Sequence, residues 1–267
     1  MSLTAVFIHA HPDDEAILTS GTMARAHASG IRTVLMMCTD GAAGITDETL
    51  LADGQDLSDL RRAELEASAE VLHVDEVIWL GFEDSGLDGM ASPNGFASCA
   101  RSTVSAVIAD SLSALHPDLV TVYDRHGGYG HPDHVRVHEA GHAAVREAGL
   151  SCEVWESTVD RDFLRESATL ATQLGVPVAP DFVEWIGAED HFLARGEIDI
   201  RVDVNAYLAQ RRASLLAHHS QGASPDGSSR MLSIAAALPD EVFGLAFGVE
   251  WYRRTGAAGP VEAVLSA

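Results

Sequence analysis

The sequence contains no lysine, and all 17 of its basic residues are arginine. A Schiff-base lysine, a lysine nucleophile and the lysine of a P-loop are therefore excluded from its chemistry. Basic residues of any kind are few beside 40 acidic ones, giving a formal charge of −23 and a sequence pI near 4.7. Without a basic footprint, neither a nucleic acid nor an anionic membrane is an expected partner. Cysteine is scarce: Cys38, Cys99 and Cys152 are widely spaced, form neither a disulfide framework nor a C-x-x-C site, and are expected to be reduced thiols. No apolar run approaches membrane-spanning length, and the N-terminus enters a strand-like run without a leader, so a cytoplasmic location is expected. A dinucleotide turn of the G-x-G-x-x-G type is missing as well, the first glycine being Gly21.

What is present is concentrated in two places. After the apolar run Leu3-Thr4-Ala5-Val6-Phe7-Ile8 the chain reads Ala10-His11-Pro12-Asp13-Asp14-Glu15, one imidazole followed closely by three carboxylates. A second run, Leu119-Val120-Thr121-Val122, leads into Tyr129-Gly130-His131-Pro132-Asp133-His134. Each is a strand, a loop and a His-Pro-Asp that can open a helix, since proline fits the first turn and aspartate suits its N-terminal end. Parallel strands deliver such residues to their carboxyl ends, where open α/β sheets bind their ligands. His11, Asp14 and His134 then offer two nitrogens and one oxygen. That set suits zinc with a position left for water, and iron or another divalent metal accepts it too.

Strand-like and helical runs alternate along the chain. A helix is expected from about Asp14 to Ser29, ending at Gly30, then a strand at Thr33–Cys38, a helix at Leu57–Leu72 and a strand at Val77–Leu80. A helix at Ala97–Leu115, a strand at Asp118–Val122, a helix at Pro132–Ala148 and a strand at Glu153–Ser157 follow. This predicts an α/β fold, a Rossmann-like doubly wound, mostly parallel sheet in a single domain. Residues 1–157 form the core with the metal site, and residues 158–267 a smaller α+β extension that completes the pocket. In that extension we expect a helix at Asp160–Leu174, a strand near Ile198–Val202, a helix at Asn205–His218, a strand over Phe243–Tyr252 and a frayed tail after Arg254. The loops Gly41–Asp59 and Gly81–Gly95 are the expected pocket walls.

Five segments together resemble the LmbE-like (PIG-L) family of zinc-dependent N-deacetylases and amidases. They are His11-Pro12-Asp13-Asp14-Glu15, Arg61-Arg62-Ala63-Glu64-Leu65, Asp84-Ser85-Gly86, Tyr129 through His134, and Ala217-His218-His219-Ser220-Gln221. The nearest type is the mycothiol-pathway deacetylase and amidase, which likewise carry a histidine at the position of His9. The resemblance implies one zinc per chain and Asp13 as the general base toward water. It implies His131 as oxyanion stabiliser or acid toward the leaving amine, steered by Asp133, with Tyr129 as a further donor. It places Arg61 and Asp84 on sugar hydroxyls and His218 near the pocket. The implied substrate is an N-acylated amino sugar or glycoside that loses its acyl group, with amidase action on a mycothiol S-conjugate as the alternative and a homo-oligomer as an allowed state. The family often has Gly-Glu after the second strand, the glutamate contacting substrate; here Gly41 is followed by Ala42 and Ala43.

His138-Glu139-Ala140-Gly141-His142 matches H-E-x-x-H, the helix of zinc peptidases. Its context is wrong for one: Gly141 weakens the helix interior, no third histidine follows, and no downstream glutamate stands out as third ligand. His27, His73, His116 and His191 are taken as surface or core residues. For Arg61 the plain alternative is an ion pair with Glu64 or Glu66, for Asp84 ordinary turn chemistry, for Tyr129 loop packing, and for His218 a structural hydrogen bond.

Overall fold

A computed structural model describes residues 3–175, 178–222, 224, 228 and 230–266. The continuous apolar runs form strands β1 Thr4–His9, β2 Arg32–Thr39 and β4 Leu119–Tyr123, with β3 Glu76–Phe82 and β5 Glu153–Thr158 beside them. Strands β6 Ile200–Asp203 and β7 Val249–Thr255 come from the C-terminal extension. Together they make a seven-stranded sheet of order β3-β2-β1-β4-β5-β7-β6. The first five strands are parallel, while β7 runs antiparallel to both β5 and β6. The predicted α/β, doubly wound and mostly parallel sheet is thus the observed one.

The helices are α1 Asp14–Leu18, α2 Ser20–Ala28, α3 Leu57–Val71, α4 Arg101–Leu115, the kinked turn α5 Gly127–Gly130, α6 Pro132–Glu147 and α7 Arg161–Gln173. They continue with α8 Pro180–Gly187, α9 Leu208–Ala217, α10 Met231–Ala236, α11 Asp240–Phe247 and α12 Pro260–Leu265. Side-chain parity along the strands sorts the core into two faces. Val6, Ile8, Val34, Met36, Val120, Val122 and Val154 pack against Val104, Ile108 and Leu112 of α4 and Val137, Ala140 and Ala144 of α6. Ala5, Phe7, Leu35, Met37, Leu119 and Trp155 pack against Met23 of α2, Leu65 of α3 and Val261 and Leu265 of α12.

Three expectations are corrected. The helix expected over Asp14–Ser29 is broken at Thr19, whose backbone leaves the helical region and whose hydroxyl lies 2.7 Å from His9 Nε2. The stretch Phe243–Phe247 belongs to α11 rather than to a strand, its Phe243 and Phe247 rings stacked 4.8 Å apart at the i,i+4 spacing, and the strand begins only at Val249. The tail is not frayed. Glu153 accepts from the Val261 amide at 2.7 Å, capping α12, and Val261 and Leu265 are buried.

The sheet reverses its winding between β1 and β4, which are neighbours although β2, β3 and their helices lie between them in sequence. Such a switch point leaves a crevice outside the strand ends. Both charged motifs emerge there.

Candidate metal centre

The loop after β1 and the N-terminus of α6 bring three donor groups together. His11 Nδ1 and His134 Nε2 are 3.2 Å apart, His134 Nε2 is 3.2 Å from Asp14 Oδ1, and His11 Nδ1 is 3.3 Å from Asp14 Oδ2. An edge of roughly 3.3 Å is what tetrahedral coordination with metal–ligand bonds of about 2.0–2.1 Å requires. The outer ring nitrogens are already engaged. His134 Nδ1 lies 3.1 Å from the Gly127 carbonyl, which can only accept, so that nitrogen carries the proton and Nε2 presents a lone pair. His11 Nε2 faces Asp133 Oδ2 at 3.1 Å and Asp84 Oδ1 at 3.3 Å. Two imidazole nitrogens and a carboxylate therefore converge on one point, an arrangement that a cation suits, and the outer partners are those that orient metal-binding histidines. The residues fit a divalent metal.

The surrounding carboxylates favour positive charge at this point. Burial disfavours a charged His11, yet the carboxylates of Asp133, Asp14 and Asp84 outweigh it and hold its pKa well above the ordinary value. Burial likewise disfavours the Asp14 carboxylate, but His134 and His11 keep it well below the usual range. Tyr123, at the end of β4, donates from its hydroxyl to Asp14 Oδ2 at 2.7 Å and accepts from the Ala10 amide at 2.9 Å. Its ring stacks on His134 at 4.1 Å. Tyr123 lies outside the strand expected to end at Val122; the strand runs one residue further, and the Tyr123 hydroxyl also lies 3.3 Å from His9 Nδ1.

Asp13 is the most accessible carboxylate of the cluster, 18% exposed at its side chain. Its backbone has φ 127°, a region L-residues rarely occupy, and Glu15 Oε2 accepts from its amide at 3.0 Å. Burial pushes its carboxyl up to about 6 against the pull of Arg61. His131 caps α6, its Nδ1 accepting from the Asp133 amide at 3.2 Å. A neutral His131 therefore carries its proton on Nε2 and is a donor there; burial and the neighbouring His11 and His134 push its pKa down to about 3. The Asp133 carboxylate does not steer His131 as the resemblance implied. It is committed to His11, to the Ser85 amide at 3.0 Å and to the Ala97 amide at 3.0 Å, so what it sends to His131 is its backbone N–H. Tyr129 lies edge-on to His134 at 5.3 Å, with Trp185 of α8 at 6.1 Å.

The remaining residues of the resemblance meet one another. Arg61 is buried and spends its terminal nitrogens on the carbonyls of Gly41 and Pro12, 3.3 Å from Asp13 Oδ2. Gly41 has φ +67°, and a Cβ there would fall 2.6 Å from the guanidinium. Arg62 is exposed over Trp79. Asp84 accepts from Gly86 at 2.8 Å and Ala43 at 3.2 Å as well as facing His11, so turn chemistry and support of the site coexist in it. His218 is fully buried with Nε2 2.5 Å from Glu15 Oε1, which also accepts from Ser68 at 2.7 Å. Its neighbour Ser220 binds Glu64 of α3 through backbone and hydroxyl, at 2.8 and 2.6 Å. These contacts brace the loop that presents Asp13.

The H-E-x-x-H helix is not arranged as a peptidase. Glu139 points outward, 44% exposed and paired with Arg136 at 3.0 Å. One expectation about it is corrected, however: a downstream glutamate does face the two histidines, and it is Glu156 of β5, 2.9 Å from His142.

Comparison with known proteins supplies the family. Residues 6–145 match the model of PIG-L, GlcNAc-PI de-N-acetylase. A 1D-myo-inositol 2-acetamido-2-deoxy-alpha-D-glucopyranoside deacetylase of Acidothermus cellulolyticus is 33% identical over 270 residues, 94% of this chain and 88% of that protein. The enzyme of the same name from Nocardia farcinica is 36% identical over 280 residues, 96% and 92% of the two chains. In fold the chain is similar to the N,N'-diacetylchitobiose deacetylase from Pyrococcus horikoshii, with a TM-score of 0.59, 22% identity, and coverage of 94% of this chain and 83% of that one. The chain accordingly belongs to the PIG-L family of metal-dependent de-N-acetylases and is a hydrolase of the N-acyl amide of an amino sugar.

Proposed function

We propose that the chain is a zinc-dependent deacetylase acting in the cytoplasm on a 2-acetamido sugar joined to inositol, the glycoside for which its relatives are named. The observation that carries the reading is the meeting of His11 Nδ1, His134 Nε2 and the Asp14 carboxylate at 3.2–3.3 Å beside an accessible Asp13. His11, Asp14 and His134 hold the metal, with two imidazoles and one carboxylate favouring zinc. When bound, the metal supplies a Lewis acid that acidifies water and polarises the amide carbonyl.

The chain's own residues do the rest. Asp13 takes the proton from the attacking water and is held toward it by Arg61 and by the Glu15 bond to its amide. His131 Nε2 and the Tyr129 hydroxyl donate to the oxygen that gains charge in the tetrahedral intermediate, and Asp13 returns the proton it took from water to the departing amine. Asp84 and Asp133 fix the His11 ring, and Tyr123 fixes Asp14. A glycosyl inositol brings many hydroxyls, which polar side chains of the largely exposed loops 41–56 and 86–95 can pair.

The test is release of primary amine from the inositol glycoside, from free N-acetylglucosamine and from a mycothiol S-conjugate, by wild type, Asp13→Asn and Glu139→Ala. The absence of lysine keeps the protein's own amine background low. We expect the glycoside to be preferred, Asp13→Asn to lower kcat by about 10²–10⁴-fold, and Glu139→Ala to stay near wild type. Full activity in Asp13→Asn would refute the role of Asp13, and release from the S-conjugate alone would make the chain an amidase.

A further inference from the structure

His134, His138 and His142 follow one another at the i,i+4 spacing and so lie on one stripe of α6. His134 belongs to the centre described above. The other two sit one and two turns further along, over β5, where Glu156 rises from the sheet. His142 Nε2 is 2.9 Å from Glu156 Oε1 and His138 Nδ1 is 3.8 Å from the same oxygen. The two rings are 4.8 Å apart and nearly perpendicular, at 76°. One donor atom from each of the three residues falls within 4.8 Å of the other two.

We propose that His138, His142 and Glu156 form a second divalent-cation site, for a metal such as zinc, cobalt or nickel, that clamps α6 to β5. Two imidazoles and one carboxylate select these metals over magnesium or calcium, which prefer all-oxygen shells. Glu156 is 3% exposed at its side chain while His138 and His142 are 20% and 19% exposed, so the carboxylate is fixed and the imidazoles open a route from solvent. The carboxylate is also divided in a useful way. Its Oε2 faces Arg253 Nη1 at 3.3 Å, the residue directly opposite in the β5–β7 ladder, and its Oε1 faces the imidazoles. Arg253 balances the charge of Glu156 without occupying the oxygen that a cation needs. His138 Nδ1 lies 3.0 Å from the Tyr123 carbonyl, which can only accept, so Nδ1 carries the proton and Nε2 is the nitrogen left to ligate, in a ring whose orientation that main-chain contact fixes.

Such a site is not catalytic. The glutamate of the H-E-x-x-H pattern, Glu139, is turned away toward Arg136, so no base stands beside it. Its effect is mechanical: a cation there ties the helix that carries His131, Asp133 and His134 to the sheet.

The experiment is metal content after equilibration of the full chain with zinc buffered at micromolar free concentration, read by elemental analysis, for wild type, His142→Gln and His138→Gln. Deacetylation and far-UV circular dichroism report on the first centre and on folding. Wild type should hold two zinc ions per chain, and His142→Gln one, with its activity retained and without the rise in melting temperature that excess zinc gives wild type. His138→Gln provides the same comparison should the first variant fail to fold. Arg253→Gln should hold the second ion at lower free zinc than wild type does. One zinc in the wild type, or two in both folded histidine variants, overturns the proposal.

Discussion

The hydroxyl of Tyr123 illustrates how much of the centre depends on a group that would touch neither metal nor substrate. It is buried, accepts from the Ala10 amide and donates to Asp14 Oδ2. Replacing it with hydrogen leaves one buried N–H without a partner and one carboxylate oxygen less restrained. Tyr123→Phe should cost about 1–3 kcal/mol in denaturant unfolding and weaken zinc binding by about 10–100-fold in chelator competition. The ring itself still stacks on His134, so retention of wild-type affinity would show that the hydroxyl has no hold on Asp14. Single residues also mark the boundary of what could be read from sequence. That His11, Asp14 and His134 meet was legible because both motifs follow strands of one parallel sheet and so emerge at the same edge. The bond from the Asp133 carboxylate to His11 was not, because it depends on the direction of a side chain and not on its position in the motif.

At the scale of elements, α6 is the part that the centre most depends on, and its approach to the sheet is set by a glycine. A Cβ at Gly141 would lie 2.5 Å from Val122 Cγ1 of β4, closer than side chains pack. Gly141→Ala removes a poor helix former, a gain of about 1 kcal/mol taken alone. The contact with β4 should reverse that, giving a net loss of about 1–3 kcal/mol in unfolding free energy and a fall in kcat as α6 lifts. A variant of equal or greater stability would mean that Val122 yields and that the helix does not rest on this glycine. From sequence Gly141 counted only as a weakness in the helix, since its purpose is visible only against the neighbouring strand. The same limit explains the C-terminal error. Phe243, Leu245 and Phe247 alternate as a strand would, but Pro239-Asp240-Glu241 is a helix start, and the pairing of β7 with β5 is long-range. The buried strands β1, β2 and β4 were legible because both faces are apolar, so no register had to be known.

The molecule as a whole is held together by contacts between its first and last segments. Glu250 of β7 accepts from the Gly21 and Thr22 amides at 2.8 and 2.7 Å, capping α2, and pairs with buried Arg211 of α9 at 3.2 Å. Ile200, Val202, Tyr252, Val261 and Leu265 share a core with Ala5 and Phe7. We therefore expect residues 158–267 to unfold together with the rest. Tryptophan fluorescence, from Trp79, Trp155, Trp185 and Trp251, and far-UV circular dichroism should give one coincident denaturant transition. Two separated transitions would make the extension an independent unit. The switch point between β1 and β4 has a consequence for the life of the chain before it is complete. His11 and His134 are 123 residues apart and face each other only once those two strands pair. For the first half of the chain's length only one side of the proposed centre exists, since its second histidine is residue 134 of 267. Under the proposed function, a metal held by His11 and His134 would mark the completed pairing of β1 with β4.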